Sequence, residues 1–185
     1  MDLKRLALTA LLATACAPAR APNSISGQLQ GADGAFHPIL NPLARFTVIE
    51  FFSAHCPCQA VHDARLKALA ERYRASGVYF IAVDSEAGAS IARDGAEAVR
   101  RGYSYPLLID PDGALARSTQ ADYATYSLLV DTSGRVMYRG GIDSDRSHLR
   151  DDATPYLQNA IEDALAGRSL RNPEAKTLGC SLMLR

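Results

Sequence analysis

The stretch F-T-V-I-E-F-F-S-A-H-C-P-C-Q-A-V-H, from Phe46 to His62, decides how the rest of the chain is interpreted. Its first seven residues are a run of β-branched and aromatic side chains, which is typical of a central strand buried on both faces. From Gln59 to Ser76, apolar and aromatic side chains recur at spacings of four and three, which predicts a helix that Gly77 ends. Cys56 and Cys58 therefore lie where a buried strand passes into a helix.

The two cysteines occupy a position that activates a thiol. Unpaired N–H groups and the positive end of the helix dipole stabilise negative charge there, and cysteines so placed have pKa values lowered from about 8.5 to roughly 3.5–7.5. The thiolate is the attacking form in disulfide exchange. Pro57 suits the first helical position, where its missing N–H group costs nothing. His55 adjoins the pair, and His62 is predicted one turn beyond Cys58 on the same face.

Strand and helix patterns alternate along the rest of the chain. Apolar runs from Val78 to Asp84 and from Tyr105 to Asp110 predict two strands, and Ser90 to Arg101 between them has helical composition. Two strands joined by a turn are predicted from Ser127 to Gly140. A closing helix capped by an aspartate is predicted from Asp151 to Ala166. This order predicts an α/β sandwich around a mixed sheet.

The composition excludes several classes of function. Twenty lysine and arginine residues balance twenty aspartate and glutamate residues, so no long-range field attracts nucleic acid or an acidic membrane surface. Nearly half of the 185 residues are apolar, which is enough for one domain with a proper core. That domain is predicted over residues 25–170 and begins with a small hairpin. It contains no apolar run of the 18 or so residues that a membrane-spanning helix needs.

The N-terminus is typical of a targeting segment. Residues 1–17 begin with Lys4 and Arg5 and continue as a short apolar stretch, which predicts an export signal, and residues 18–24 are expected to be a tether. The sequence L-A-T-A-C ending at Cys16 resembles a bacterial lipoprotein cleavage box, which predicts a lipid anchor on Cys16. Ala15 and Ala17 also fit an ordinary signal-peptidase cut. A periplasmic protein, either soluble or anchored to the membrane by lipid, is expected in both cases.

Export places Cys56, Cys58 and Cys180 in a compartment where disulfides persist. Because three is an odd number, one thiol is left free, pairs with another molecule or exchanges with the other two. Residues 171–185 are predicted to be a flexible tail that swings Cys180 onto the first two cysteines. In that arrangement Cys180 resolves a mixed disulfide or a sulfenate on Cys56. The alternative is an unpaired thiol in a frayed tail.

The strand, the motif S-A-H-C-P-C, the helix, and the later segments Y-P-L-L-I-D-P-D-G-A-L-A-R and L-L-V-D-T-S-G-R-V-M-Y-R-G together resemble the thioredoxin-like redoxins. That superfamily spans peroxiredoxins and exported thiol-disulfide oxidoreductases, and the resemblance covers about Ile25 to Leu170. It implies a thioredoxin-like α/β fold with a central mixed sheet flanked by helices. One such scaffold supports several cysteine chemistries.

Three positions depart from the family pattern. Only Pro57 separates the two cysteines, where the usual motif has two residues, so a disulfide between them would close a small, strained and easily reduced ring. Thr125 stands where the family has a cis-proline that faces the cysteines. Ser53, three residues before Cys56, matches the peroxiredoxin hydroxyl position, whereas Ile49 stands where that motif has proline.

Three functions follow from the sequence and the resemblance. The leading hypothesis is a cofactor-free thiol-disulfide oxidoreductase that acts on protein or small-molecule disulfides and is recycled by a thiol reductant or a membrane redox partner. Cys56 attacks, and Cys58 or Cys180 resolves. The second is a thiol peroxidase with Cys56 as the peroxidatic residue. The third is a Cu(I) carrier, because the soft thiolates of Cys56 and Cys58 with the His62 imidazole suit that ion.

Overall fold

A computed structural model describes residues 24–185 of the protein. The predicted export signal, and the predicted tether apart from Ser24, lie outside the described residues. The elements of the described part follow one another as β1 (Gln28–Gly31), β2 (Phe36–Pro38), β3 (Phe46–Phe52), α1 (Pro57–Arg74), β4 (Val78–Asp84), α2 (Ile91–Arg101), β5 (Leu107–Ile109), α3 (Ala114–Thr119), β6 (Tyr126–Asp131), β7 (Val136–Gly141) and α4 (Tyr156–Leu165).

The strands form one mixed sheet in the order β2-β1-β5-β4-β3-β6-β7. β3, β4 and β5 run parallel to one another, and β6 pairs antiparallel with both β3 and β7. The β1–β2 hairpin adds to the far edge by pairing β1 antiparallel with β5. The predicted α/β fold with a central mixed sheet is confirmed, and β3 lies inside the sheet as its sequence indicates.

The sheet separates two apolar cores, and β3 contributes to both because successive side chains of a strand point to opposite faces. Val48 and Phe52 pack on the face covered by α1 and α4, whereas Ile49 and Phe51 pack on the face covered by α3. The core on the α3 face is called the second core, and the cysteines Cys56 and Cys58 belong to it. Among residues 24–185, no helix combines the length and the apolar character needed to cross a bilayer.

The closing helix begins later than its sequence indicates. α4 starts at Tyr156 after Pro155, five residues beyond the predicted aspartate cap. Thr154 precedes a proline, and a residue in that position is driven away from helical backbone angles. The aspartates Asp151 and Asp152 lie instead in a turn of the loop before it. α3 is an additional short helix that the sequence analysis does not predict, and the Asp110 carboxylate caps it by accepting N–H groups of its first turn.

Residues 171–185, which the sequence predicts as a flexible tail, make contacts with the body of the protein in the structure. The tail pairs with the body of the protein through two isolated bridges, Arg139 with Glu174 and Tyr123 with Ser181. Leu182 is 8 % exposed and joins the second core. Main-chain hydrogen bonds and apolar contacts hold the segment in place, although its polar, proline-containing beginning is typical of a flexible chain.

Candidate active site

The site lies at the carboxyl end of β3, where the chain turns into α1. Cys56 is the N-cap of α1 with extended backbone angles, and Pro57 occupies the first helical position as predicted. The backbone N–H group of Cys56 donates to the carbonyl oxygen of Ser53 at 3.4 Å, which closes the turn between strand and helix. Cys58 is in the first turn of the helix, so both cysteines are near the positive end of its dipole.

The structure brings the three predicted cysteines together. Their Sγ atoms all lie within 4.8 Å of one another, and all three residues are free cysteines. Cys56 and Cys58 are 2 % and 4 % exposed, and Cys180 is partly exposed. The Sγ atoms of Cys56 and Cys180 are 2.7 Å apart, although 124 positions separate the two residues in the chain. The tail thus places a third thiol beside the first two.

Main-chain contacts of the tail determine where Cys180 lies. The N–H group of Ala124 donates to the carbonyl oxygen of Cys180 at 2.8 Å. The N–H group of Leu182 donates to the carbonyl oxygen of Asp122 at 2.9 Å. A Cβ atom on Gly179 would lie 1.7 Å from the carbonyl oxygen of Ala124, so only glycine permits this close approach. Cys180 is therefore held against the loop before β6 by its own backbone and that of its neighbours.

Thr125, at the position of the family's cis-proline, lies in the same loop. It has a positive φ of 65°, and no cis peptide bond occurs in the described part of the chain. Its N–H group donates to the carbonyl oxygen of Phe51 at 2.9 Å, which ties the loop to the end of β3. Thr125 is buried, and its Oγ1 atom is 2.8 Å from the place where a Gly179 Cβ would be. It contacts the tail next to the cysteines.

Ser53 organises the turn before Cys56. Its hydroxyl donates to Glu86 Oε2 at 3.0 Å and accepts from the N–H group of His55 at 3.3 Å. The other Glu86 oxygen accepts from the N–H group of Met183 in the tail at 3.4 Å. Glu86 thus links the active-site turn to the segment that carries Cys180. His55 itself is exposed beside the pair, as is Pro57.

His62 lies away from the sulfur atoms. Its Nδ1 atom bonds the carbonyl oxygen of Cys58 at 2.8 Å, and its Nε2 atom bonds Asp143 Oδ1 at 3.2 Å, so both ring nitrogens are engaged. Burial disfavours the charged imidazole, but the hydrogen bonds to Asp143 and Cys58 outweigh that effect and raise the pKa of His62. The metal-ligand role that the sequence analysis considers for His62 does not fit this geometry. His62 instead supports the first turn of α1.

Glu50, in the strand that leads to the site, is a buried acid that the sequence analysis does not single out. It is 1 % exposed, and neither of its carboxylate oxygens has a hydrogen-bond partner in the described part of the chain. Burial, followed by the negative charge of Asp63, raises the pKa of Glu50 well above its ordinary value, and Cys56 contributes in the same direction. The sequence feature that could have revealed Glu50 is an acidic residue in the middle of the apolar run F-T-V-I-E-F-F.

Asp63 is the charged neighbour of Glu50, and it is fully paired. Arg101 donates to Asp63 Oδ2 at 2.8 Å, and the Tyr103 hydroxyl donates to Oδ1 at 2.6 Å. Arg101 also donates to the carbonyl oxygen of Ala54 in the active-site turn at 3.0 Å. The arginine therefore connects the turn to α1, and Glu50 remains the one unpaired carboxyl in this group.

The Redoxin family model matches residues 44–154, which is more than half of the chain. The chain belongs to the Redoxin family. The matched span contains the strand, turn and helix that carry Cys56 and Cys58. It ends before the tail, so Cys180 comes from outside the part of this redoxin that the family model covers.

Solved structures with the same fold agree with this assignment. An uncharacterized conserved protein from Geobacillus kaustophilus is 25 % identical with a TM-score of 0.80, over 88 % of this chain and 90 % of that one. A hypothetical protein from Sinorhizobium meliloti is 23 % identical with a TM-score of 0.80, over 88 % and 92 %. Peroxidoxin BcpB from Mycobacterium tuberculosis is 17 % identical with a TM-score of 0.57, over 80 % and 93 %.

The other structural neighbours of this redoxin include a thiol-disulfide oxidoreductase and a protein that reduces alkyl peroxides. A sequence comparison with curated proteins finds no match. The thioredoxin-like fold predicted from the sequence is confirmed.

Proposed function

We propose that this redoxin is a thiol-disulfide oxidoreductase in which Cys56 is the nucleophile and Cys180 is the resolving thiol. The observation that carries the proposal is the 2.7 Å contact between the Sγ atoms of Cys56 and Cys180. An S–S bond is about 2.05 Å long, so the two sulfurs need to approach by less than about 1 Å to form one. The tail already holds Cys180 in place for that step.

The two thiols differ in a way that supports these roles. Cys56 is the N-cap of an 18-residue helix, next to the positive end of the helix dipole. Burial, followed by the hydrogen bond and the charge of Cys56, raises the pKa of Cys180 to about 12. Cys180 therefore keeps its proton at neutral pH while Cys56 attacks.

The reaction has two steps. In the first, the Cys56 thiolate attacks one sulfur of a substrate disulfide, forms a mixed disulfide and releases the other sulfur as a thiolate. The negative charge beside Cys180 then disappears, which removes one cause of its raised pKa. In the second, Cys180 loses its proton to the solvent and attacks the Cys56 sulfur. The substrate leaves with two thiols, and the protein holds a Cys56–Cys180 disulfide.

Cys58 is the alternative resolving residue. Its Sγ atom is within 4.8 Å of the other two, but residues two apart at a helix start do not face each other. A Cys56–Cys58 disulfide would also close a ring with only Pro57 between the cysteines. The position of Cys180 avoids both constraints, which favours it over Cys58.

Disulfide mapping tests the proposal, with Cys16→Ser in every protein so that only three cysteines remain. The reduced full-length protein is treated with one equivalent of oxidised glutathione and digested for mass spectrometry. We expect a Cys56–Cys180 disulfide in the parent and in Cys58→Ser, and a trapped Cys56–glutathione adduct in Cys180→Ser. Cys56→Ser should lose exchange activity.

A Cys56–Cys58 disulfide in the oxidised parent, together with full turnover by Cys180→Ser, would overturn the assignment of Cys180. Peroxide reduction is separated in a parallel arm with hydrogen peroxide in place of glutathione. A Cys56 sulfenate that forms rapidly, with no exchange in the first arm, would favour the thiol peroxidase over the oxidoreductase.

We also propose that the protein is exported and that a thiol reductant or a membrane redox partner returns it to the reduced state. The basic residues Lys4 and Arg5, followed by a short apolar stretch, support export. The test is fractionation of cells that express the full-length chain or its Cys16→Ser variant. Membrane recovery lost in the variant would support the lipid anchor, and periplasmic recovery of both would support an ordinary cut. Cytosolic recovery of both would refute export.

A further inference from the structure

The three thiols of the site also form a compact set of soft donors. Their Sγ atoms lie within 4.8 Å of one another, and two of the three residues are almost completely buried. Among the cysteine, histidine and acidic side chains of residues 24–185, these three thiols form the group whose ligand atoms all lie within that distance of one another. No carboxylate and no imidazole belongs to it. The donor set is therefore sulfur alone.

The number and kind of donors select the metal. Structural zinc sites almost always have four protein ligands in a tetrahedron, and iron–sulfur clusters usually have four cysteines. Thiolates are soft ligands that suit Cu(I), an ion that accepts three sulfur donors in a plane. The nearest imidazole on α1, that of His62, has both nitrogens engaged by Cys58 and Asp143. We propose that the reduced protein binds one Cu(I) ion through the Sγ atoms of Cys56, Cys58 and Cys180.

The distances permit this arrangement. Metal–sulfur bonds of about 2.3 Å place three trigonal sulfurs about 4 Å apart, which is inside the 4.8 Å span of the three Sγ atoms. Cys180 has to withdraw from its 2.7 Å contact with Cys56 by about 1 Å. It is the partly exposed member of the three, and its backbone rather than its side chain is anchored to the protein.

Charge and redox state set the conditions for binding. Each thiol gives up its proton as it becomes a ligand, so the occupied site carries net negative charge, which the N-terminus of α1 favours. A Cys56–Cys180 disulfide removes two of the three donors. Only the reduced protein should therefore bind the ion, and binding in that state does not require that the protein catalyse exchange.

Competition with a chromophoric Cu(I) chelator, bathocuproine disulfonate, tests the site in the reduced full-length protein that carries Cys16→Ser, without oxygen. We expect one equivalent of Cu(I) to bind, and X-ray absorption to show three sulfur neighbours and no nitrogen. Cys180→Ser should weaken binding at least tenfold, whereas Cys180→Met, which keeps a soft sulfur, should weaken it less. The exposed neighbour Ser181 provides the control, because Ser181→Ala should bind as the parent does.

Several results would overturn the proposal. They are unchanged affinity in Cys180→Ser, nitrogen in the X-ray absorption spectrum, or preferential binding of Zn(II) with a fourth ligand. Circular dichroism of each variant shows whether the fold is retained. If Cys180→Ser is unfolded, Cys58→Ser replaces it and is expected to show the same loss. Failure of Cu(I) binding leaves the disulfide mapping unaffected, so the two proposals are tested separately.

Discussion

Glu50 shows how burial sets the protonation of a single residue in this molecule. The folded protein raises its pKa, whereas in the unfolded chain the residue ionises near its ordinary value of about 4.3. Above that pH, unfolding releases the proton that the folded state retains. The free energy of unfolding therefore falls as pH rises, by at most about 1.4 kcal/mol per pH unit for one proton.

Glu50→Gln removes this proton and should remove the pH dependence that comes from it. We expect the stability of the parent, relative to that of the variant, to increase as pH is lowered from 8 to 5. The measurement is the free energy of unfolding in urea at each pH, with both proteins reduced. Parallel curves for the two proteins across this range would show that Glu50 is not protonated in the folded state.

His62 and Asp143 form a buried hydrogen-bonded pair, and both side chains are about 3 % exposed. His62→Ala leaves Asp143 with Arg65 and the N–H group of Asp145 as partners and leaves the Cys58 carbonyl without the imidazole. Breaking a buried pair by removing one partner costs about 3–5 kcal/mol. Since Arg65 remains, we expect a loss of about 3 kcal/mol in urea unfolding.

Arg74→Ala is the matched control for this loss. Arg74 pairs with Glu71 on the same helix, but both side chains are more than half exposed. Exposed pairs of this kind contribute about 0.3–0.5 kcal/mol. Equal effects of the histidine and arginine variants would show that the His62–Asp143 pair does not stabilise the fold.

At the scale of elements, the docked position of the tail depends on Gly179, a residue without a side chain. Gly179 lies against Ala124 so closely that a methyl group has no space. Gly179→Ala should displace the tail and expose Cys180, while the sheet and α1 stay intact. We expect iodoacetamide to modify Cys180 at least tenfold faster, as measured by mass spectrometry for each cysteine with Cys16→Ser present.

Ser181→Ala is again the suitable comparison, because its side chain is exposed and its backbone pairs with Tyr123. Its Cys180 should react at the parental rate. An unchanged rate in Gly179→Ala would mean that the tail tolerates the extra methyl group. The proposed close approach would then be incorrect.

The elements also show what the sequence determines. The strand before the cysteines, the helix after them and the closing hairpin follow from apolar patterns, because burial on one or both faces leaves a local periodic signal. The late start of α4 is marked in the sequence by Pro155, which the apolar periodicity around it does not register. The tail could not be predicted, since main-chain hydrogen bonds to distant loops leave no pattern in side chains.

The same limit applies to the site. Cys56 and Cys58 stand out because they follow a buried strand directly, and Cys180 is predicted to meet them on a tail that swings, whereas in the structure it lies beside them on a docked segment. His62 is adjacent to the pair in the helix, yet its ring turns towards Asp143, which lies 81 positions further along the chain. Glu50 is visible in the sequence as a charge among apolar residues. Its lack of a partner is visible only in three dimensions.

For the whole molecule, a Cys56–Cys180 disulfide would join the strand-to-helix turn to the tail across 124 positions. A cross-link over so long a loop restricts the unfolded chain and typically adds about 2–4 kcal/mol to stability. We expect the oxidised parent to be more stable than the reduced parent by this amount in urea. Cys180→Ser should show no difference between oxidising and reducing conditions, and a parent that shows none either would argue against the cross-link.

The place of Cys180 on the tail also has a consequence for the synthesis of the protein. A ribosome builds the chain from its N-terminal side onwards, so Cys56 and Cys58 emerge long before Cys180 and before Leu182, which completes the second core. A product that ends between residues 166 and 179 has all seven strands and Cys56, but it lacks the thiol that the proposed mechanism uses to resolve what Cys56 captures. In the proposed mechanism, the residues around Cys180, which are synthesised late, are therefore the ones that complete the site.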